Sequence, residues 1–118
     1  MNGHADAKVN YHDAVGVVQL TGDVDIVQAQ DLRERLLGAV RNEDLGLIVD
    51  VTHASYIDSV GVSLLFELAE KLGERQLRLA VVMPDDGLVK RVLTIVDLGA
   101  VAELHPTVDE ALIAIRGE

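Results

Sequence analysis

The sequence predicts an α/β fold: a single mixed, mainly parallel β-sheet packed with about four helices. Strand-type and helix-type apolar periods alternate along the chain in the order β-β-α-β-α-β-α-β-α. The 118 residues are enough for one domain and too few for two. Hydrophobic residues make up 49% of the chain and aromatic residues 3%, so we expect an aliphatic core. Residues 1–118 are therefore taken as one domain, with an ordered core over about 9–116.

The chain is expected to begin its fold with a β-hairpin. Val9 and Tyr11 form a first short strand, and residues 15–20 form a second one after a turn at residues 13–14. Gly22 and the Asp23 that follows it are expected to end the second strand, because glycine and aspartate favour turns. One antiparallel strand is thereby added at an edge of the sheet.

A helix and a buried strand are predicted next. Residues 25–40 carry an apolar stripe at three- and four-residue spacing. The stripe consists of Ile26, Ala29, Leu32, Leu36, Leu37 and Val40. Residues 45–51 are almost all apolar, which is typical of a central parallel strand buried on both faces.

A second helix is predicted over residues 59–72, and a further buried strand over residues 77–83, which Pro84 ends. One face of this helix gathers its small and apolar side chains, Gly61, Leu65, Leu68, Ala69 and Leu72. Since successive parallel strands need right-handed crossovers, this helix is expected to pack on the sheet between its two strands.

The last third of the chain predicts a helix over residues 88–98, a short strand over residues 101–104 and a final helix. The third helix is expected to turn inward Leu88, Val92, Ile95 and Val96. Gly99 is expected to form its C-terminal cap. Thr107 and Glu110 have the spacing of a capping box, which predicts the start of the fourth helix.

The charge balance excludes several classes of partner. Twenty acidic residues against ten basic ones give a net charge of −10, which repels nucleic acid and anionic lipid surfaces. Cysteine is absent, so disulfides and thiolate metal sites are excluded. No apolar run approaches the roughly 20 residues that span a bilayer, and no signal pattern opens the sequence. A cytoplasmic protein without direct membrane insertion is therefore expected.

Common catalytic motifs do not occur in the sequence. It contains no glycine-rich phosphate loop, nucleophile elbow or zinc-binding helix motif, so neither an enzyme nor a bound cofactor or metal is predicted. The histidines share no metal-ligand spacing; they are His4, His12, His53 and His105. Asp23 and Asp25 form a D-x-D pair that is able to hold Mg²⁺ with a phosphate. The favoured interpretation is that the pair ends a strand and caps a helix.

The most informative segment is residues 53–62, which joins the central strand to the second helix. Function collects at this carboxyl edge of parallel sheets. Either Asp58 or Ser59 is expected to be the N-cap of the helix. Gly61 is expected to let the helix approach the sheet closely, because glycine lacks a side chain.

Two features of this helix start point beyond a simple cap. Val60 falls on the solvent side of the helix with Glu67 and Lys71, and an exposed β-branched residue there indicates contact with a partner. A phosphate on Ser59 would face free backbone N–H groups and the positive end of the helix dipole. Its charge would change that surface sharply, so Ser59 has the properties of a phosphorylation switch.

Three segments of the chain together resemble the STAS domain family, and within it the bacterial anti-sigma-factor antagonists. They are residues 20–25 (LTGDVD), residues 48–65 (IVDV through YIDSVGVSLL), and residues 98–106 followed by the final helix. The resemblance covers about residues 9–116. It implies the same mixed sheet with four helices that the periodicity predicts.

The resemblance also implies a function. Such antagonists bind an anti-sigma factor that is a serine kinase of the histidine-kinase-like ATPase fold, and binding releases a sigma factor. The kinase phosphorylates the serine after the aspartate, here Ser59, and a metal-dependent serine phosphatase of the PPM type reverses the reaction. Asp58 and Asp23 match family positions near that serine. ATP and metal belong to the partners, and the antagonist itself catalyses nothing.

One departure from the family pattern lies next to the phosphoacceptor. Val60 stands where the family commonly has serine or threonine, which bears on the kinase that recognises the site. Ser63 is a second hydroxyl one helical turn on. The predicted partner-binding surface consists of Asp23, Asp25, Asp58, Ser59, Val60 and Ser63.

Two other functions stay open at the level of the sequence. In the first of these functions, the chain is a docking subunit of a stress-signalling assembly or of a lipid-transporting ABC complex, with no phosphate cycle at Ser59. In the second it is an enzyme or nucleotide-binding protein that uses the aspartates around Ser59. The lack of a phosphate loop and of nearby Lys or Arg argues against the second. Both a monomer and a weak dimer are compatible with the sequence.

Overall fold

The computed structural model describes residues 6–25 and 29–117, which form five strands and four helices around one sheet. The elements are β1 (Asp6–His12), β2 (Val15–Val24), α1 (Ala29–Gly38), β3 (Gly46–Ile57), α2 (Ser59–Glu74), β4 (Arg78–Val82), α3 (Leu88–Ile95), β5 (Glu103–His105) and α4 (Val108–Arg116). The strand order is β1-β2-β3-β4-β5, with β1 antiparallel to β2 and all other neighbours parallel. The predicted mixed, mainly parallel sheet and its element order are confirmed.

The helices form two unequal layers. Each parallel strand lies beside its predecessor, so the right-handed crossovers place α1, α2 and α3 on the same face of the sheet. The main core lies between these helices and the sheet, while α4 closes a smaller cluster on the opposite face. The smaller cluster contains Val15, Val17, Ile48, Ala80, Val82, Ala111, Leu112 and Ile115. The aliphatic core follows directly from the composition.

The strand ends differ from the sequence-based expectation. β1 begins at Asp6 rather than Val9, and Ala7 is buried against the helices. Gly22 and Asp23 do not end β2, because parallel pairing with β3 continues to Val24. Within this continued strand, Gly22 has a φ of 84°, a left-handed conformation that glycine adopts without strain. β3 likewise extends to the start of α2 instead of ending at residue 51.

The first helix is shorter than predicted. α1 is described from Ala29 and ends at Gly38 instead of residue 40. Asp25, predicted as its first residue, lies in a bend, and Ile26 of the predicted stripe lies outside the described residues. Leu45, predicted in the buried strand, lies before β3 and is exposed. Residues 47–51 are buried on both faces of the sheet, as predicted.

The buried face of α3 was predicted incorrectly. Val89 and Leu93 point into the core, whereas Leu88 and Ile95 are 50% and 75% exposed. Val96 is also exposed, and of the predicted inward set only Val92 packs partly against the core. The helix has eight residues, and its apolar side chains form one broad face that includes both the predicted and the observed inward residues, so periodicity could not show which part of that face is buried. The packing of the helix against the sheet decides this.

The connection from α3 to β5 also differs from the prediction. Asp97, with a φ of 59°, takes the left-handed position after the helix, and Gly99 lies in a 3₁₀ turn, Leu98–Ala100. The strand that follows is Glu103–His105, so Val101 remains outside it and exposed. A left-handed aspartate is a substitute for the glycine that the sequence pattern favoured.

The predicted cap of α4 is confirmed. The Thr107 hydroxyl oxygen accepts a hydrogen bond from the Glu110 backbone N–H at 3.1 Å. The helix ends at Arg116, and its C-terminal cap, Gly117, has a φ of 77°. Arg78 secures the C-terminal end of α4, because its guanidinium donates to the carbonyl oxygen of Ala114 at 2.9 Å. The same guanidinium makes two hydrogen bonds to the Glu103 carboxylate, at 2.6 and 2.8 Å.

The Arg78–Glu103 pair gives a pH-dependent contribution to stability. The Arg78 hydrogen bond lowers the pKa of Glu103, outweighing the opposing effect of burial. The stabilisation is therefore present above the ordinary carboxyl pKa and is lost as the pH falls through the lowered pKa. We expect Glu103→Gln to lower the free energy of unfolding by less than about 1 kcal/mol at neutral pH, because both side chains are partly exposed and water screens the pair. Urea unfolding should show this deficit shrink as the pH falls through the lowered pKa of Glu103, because the protonated carboxyl is then neutral like the glutamine amide. Glu43→Gln, at an exposed loop position, is the control; an unchanged deficit at low pH would contradict the ion-pair explanation.

Candidate functional site

The carboxyl ends of β2 and β3 bring most of the predicted site residues together. Asp23 lies opposite Tyr56 in the parallel pairing, and Val24 lies opposite Ile57. The backbone N–H of Asp58 donates to the Val24 carbonyl oxygen at 3.2 Å. The strand that carries Asp23 is thus joined directly to the start of α2. Asp23 belongs to β2, so it is not the helix cap that the D-x-D interpretation favoured.

Asp58 is the N-cap of α2, which decides between the two residues that the sequence left open. Its backbone is extended, and its Oδ1 accepts a hydrogen bond from the Gly61 N–H at 2.9 Å. Helical bonding begins with the Val62 N–H, which donates to the Asp58 carbonyl oxygen at 2.9 Å. Ser59 is therefore the first residue of the helix, and it is exposed.

Gly61 allows the helix start to lie against the end of β2. A Cβ atom at this position would be 2.5 Å from the Val24 carbonyl oxygen and 2.8 Å from Cγ1 of Ile57. Both distances are shorter than real Cβ atoms show, so the predicted close packing is confirmed. The Val24 carbonyl oxygen lies next to Gly61 and also accepts the hydrogen bond from the Asp58 N–H. These two contacts together fix the position of Ser59 relative to the sheet.

Val60 lies in a shallow depression between α1 and α2. It is half-buried and not on the open solvent side that helical counting predicted. Ser63 and Glu67 line the same depression, as does Arg33 from α1. The Nε atom of Arg33 donates to Oε2 of Glu67 at 2.6 Å. Val60 and Ser63 are therefore contiguous parts of one surface.

Two residues near this surface were missed by the sequence reasoning. Arg33 is a cation beside the helix start, contrary to the expectation that no Lys or Arg lies nearby. Its position far upstream in the chain gave no signal, because only the packing of α1 on α2 brings it close. Tyr56 is 43% exposed beside Asp23, and exposed tyrosines are frequent anchors in protein contacts.

The edge of the sheet around Ser59 is acidic. Asp23 lies in the last residues of β2, and the segments that follow the carboxyl ends of β2, β3 and β4 carry Asp25, Asp58, Asp85 and Asp86. Among the described residues no group of three or more histidine, aspartate or glutamate side chains is arranged to hold a metal ion. The edge is suited to meeting a positively charged surface.

We expect Asp58→Ala to destabilise the protein by about 1 kcal/mol, because the Gly61 N–H loses its cap. Urea unfolding measures the change. Asp58→Asn is the matched control, since it removes the charge and keeps the acceptor oxygen; it should cost only a few tenths of a kcal/mol, roughly. Equal losses in the two variants would show that charge, and not capping, is the source of the stability.

Comparison with known proteins agrees with this fold. The family model of the STAS domain matches residues 6–111. The chain belongs to the STAS domain family. Among the helices of the described residues, none has the length and apolar character needed to cross a membrane.

Several known relatives are anti-sigma factor antagonists. The chain is 26% identical over 106 residues to the anti-sigma-F factor antagonist RsfB of Mycobacterium tuberculosis, covering 90% of this chain and 85% of RsfB. A crystal structure of an anti-sigma factor antagonist from Mycobacterium paratuberculosis matches with a TM-score of 0.87 and 30% identity, over 97% and 96% of the two chains. The Bacillus cell fate determinant SpoIIAA in its phosphorylated form shares the fold, with a TM-score of 0.65 and 20% identity over 93% and 99%.

Proposed function

We propose that this protein is an anti-sigma-factor antagonist, which binds an anti-sigma factor and is released when Ser59 is phosphorylated. The observation that carries the proposal is the exposed Ser59 at the first position of α2, directly after the capping Asp58. The names of the similar proteins from the two mycobacteria support the antagonist role. The SpoIIAA structure in a phosphorylated form supports the modification.

The proposed partner is a serine kinase of the histidine-kinase-like ATPase fold. The acidic edge beside Ser59 favours a partner surface with basic character, and the half-buried Val60 adds an apolar contact. The contact surface proposed for the partner consists of Asp23, Asp25, Asp58, Ser59, Val60 and Ser63. Both proteins meet in the cytoplasm, where sigma factors act.

Phosphorylation would act through charge. A phosphate adds close to two negative charges next to Asp58, on an edge that is already acidic. The helix dipole tolerates the phosphate, so the fold persists. A partner whose surface is desolvated against Ser59 loses much more binding free energy than the fold loses stability, because the added charge has no counterpart in the contact. A PPM-type phosphatase would restore the binding form; ATP and metal act on the partners, and this chain contributes no catalytic residue.

Displacement of a sigma factor tests the proposed function. The protein is added to a complex of sigma factor and anti-sigma kinase from the same genome, and sigma release is followed by fluorescence anisotropy. We expect release by wild type and by Ile113→Asp, which changes an exposed residue of α4 on the other face of the sheet. Val60→Asp should release less sigma factor, since the new charge lies within the contact. If wild type neither binds the kinase nor releases the sigma factor, the proposed function is wrong.

The alternative function, a docking subunit without a phosphate cycle, is favoured by one observation. Val60 lacks the hydroxyl that the family commonly has beside the phosphoacceptor, and it packs into the depression between α1 and α2. Intact-mass measurement followed by peptide fragmentation, on the protein isolated from stressed and unstressed cells, separates the two functions. Phosphorylated Ser59 under either condition supports the switch, and its absence under both supports docking.

A further inference from the structure

Asp50 is a buried carboxylate that the proposed contact with the anti-sigma factor does not use. It lies in β3 on the face of the sheet that carries α4, and its side chain is enclosed, with 4% of the residue exposed. Oδ1 accepts the backbone N–H of Thr52 at 2.9 Å and the Thr52 hydroxyl at 2.5 Å. The Gln19 amide nitrogen donates to Oδ2 at 3.5 Å. The side chain therefore accepts a hydrogen bond from the backbone of its own strand, two residues further along the chain.

These hydrogen bonds lie at an irregularity in the pairing of β2 with β3. Gln19 lies opposite Asp50, but Thr21 lies opposite His53, so β3 uses one more residue than β2 in this stretch. This is a β-bulge on β3, and bulges of this kind re-aim the side chains that follow them. The bond from Oδ1 to the Thr52 N–H spans the bulged residues, so Asp50 holds the bulge in shape.

A second irregularity follows further along the same strand. Gly22 lies opposite Ala54, and Asp23 lies opposite Tyr56, so β3 again uses one extra residue. As a result the side chains of β3 that face α1 and α2 come at every third position, Val51, Ala54 and Ile57. In β2 the matching positions come at every second residue and end at Val24.

The register of β3 against β2 determines where α2 begins. With both bulges in place Ile57 lies opposite Val24, and the next residue, Asp58, donates its N–H to the Val24 carbonyl. Without the first bulge the strand would slip by one residue, and Tyr56 would lie opposite Val24. Asp58 and Ser59 would then leave the sheet one position too late to meet that carbonyl.

We propose that Asp50 is a positioning residue for Ser59: its hydrogen bonds to Thr52 hold the first bulge of β3, which sets the register at which Asp58 caps α2. Asp50 acts from within the sheet, eight and nine residues before Asp58 and Ser59, and makes no contact with a partner. The functional consequence rests on the proposed role of Ser59 in binding. The structural consequence does not, so the two are tested separately.

Amide hydrogen exchange tests the structural part without any partner. We expect Asp50→Ala to speed exchange at residues 52–58 by about tenfold relative to the amides of β4, because the bulge loses a charge-assisted acceptor. The Gly61 amide resonance should shift, since it reports the Asp58 cap. Asp50→Asn is the matched variant: its Oδ1 still accepts the Thr52 N–H, and the Gln19 amide turns to suit it. Asn is expected to stay within about twofold of wild type in exchange.

A second variant keeps the test decisive if Asp50→Ala does not fold. Thr52→Val, at an exposed position, removes the hydroxyl bond and keeps the backbone N–H bond. We expect exchange at residues 52–58 to rise by about threefold, less than for Asp50→Ala. Unchanged exchange at these amides would overturn the proposal. Equal effects of Asp50→Ala and Asp50→Asn on exchange would also overturn it, since Asp50 would then act through its charge alone.

Affinity for the anti-sigma factor tests the consequence for Ser59. At a temperature where each variant is fully folded by circular dichroism, Asp50→Ala should bind about tenfold more weakly and Asp50→Asn like wild type. A structural role alone would leave the affinity of the folded protein unchanged, and that result would overturn the positioning role. Failure of wild type to bind would instead count against the proposed function, while the exchange result would still decide the role of Asp50 at the bulge.

Discussion

Ser59→Asp is expected to weaken binding to the anti-sigma factor by about 100-fold, which corresponds to about 2.7 kcal/mol. The new carboxylate would stand at the first position of α2, beside the capping Asp58 and on an acidic edge. Within a desolvated contact, an unpaired charge costs several kcal/mol, roughly 2–5, and the helix dipole offsets only a part of it. Isothermal titration calorimetry with the purified kinase measures the change directly.

Two controls separate a charge at this position from charge in general. Asn42→Asp makes the same change of charge in the exposed loop before β3, at the opposite edge of the sheet, and should bind within about twofold of wild type. Ser59→Ala removes the hydroxyl without adding charge and should keep most of the affinity. Equal affinities for wild type and Ser59→Asp would contradict a charge-driven release.

Gly61→Ala is expected to destabilise the protein by about 2 kcal/mol, although alanine is the better helix former. The added methyl would meet the Val24 carbonyl oxygen at 2.5 Å, and a backbone oxygen held in a strand has little room to move. The helix start would have to lift from the end of β2, and the Asp58 N–H would lose its acceptor. Urea unfolding gives the loss of stability, and calorimetry should show weaker binding of the anti-sigma factor.

Gly73→Ala is the matched control in the same helix. A Cβ atom at Gly73 would have no neighbour within 4 Å, so only the helix propensity changes. We expect this variant to be more stable than wild type by up to about 1 kcal/mol. The opposite signs of the two substitutions identify close packing as the cause; a Gly61→Ala protein as stable as wild type would refute the close packing of α2 on the end of β2.

The sequence was sufficient to predict the order of elements, because each strand and helix carries its own apolar period. It also placed the start of α2 to within one residue, since Asp58 and Ser59 precede a clear stripe and Asp58 caps the helix by a local hydrogen bond. The true ends of β2 and β3 were not predicted. They depend on bulges, which are properties of a strand pair and interrupt the two-residue alternation by which a strand is recognised in the sequence. The buried face of α3 was predicted incorrectly because its apolar side chains form one broad face, and only the packing against the sheet selects the buried part of it.

The candidate site was predicted to the extent that it is local. The Asp58–Ser59 pair at the helix start lies within one short segment, so residues close together in the sequence were enough to identify it. Arg33 and Tyr56 join the surface only through the packing of α1 on α2 and the register of β2 with β3. Asp50 belonged to a recognised motif, but its bonds to Thr52 gain meaning only beside the bulge. Tertiary placement therefore supplied the residues that the sequence could not.

Mapping the phosphate after incubation with the serine-kinase anti-sigma factor and ATP tests the central claim most directly. Intact-mass measurement followed by peptide fragmentation distinguishes Ser59 from Ser55 and Ser63, which are also exposed. The expected result is a single phosphate on Ser59 of wild type and none on Ser59→Ala. A phosphate that persists in Ser59→Ala, or a wild-type protein that binds the active kinase and remains unmodified, would contradict a switch at this serine.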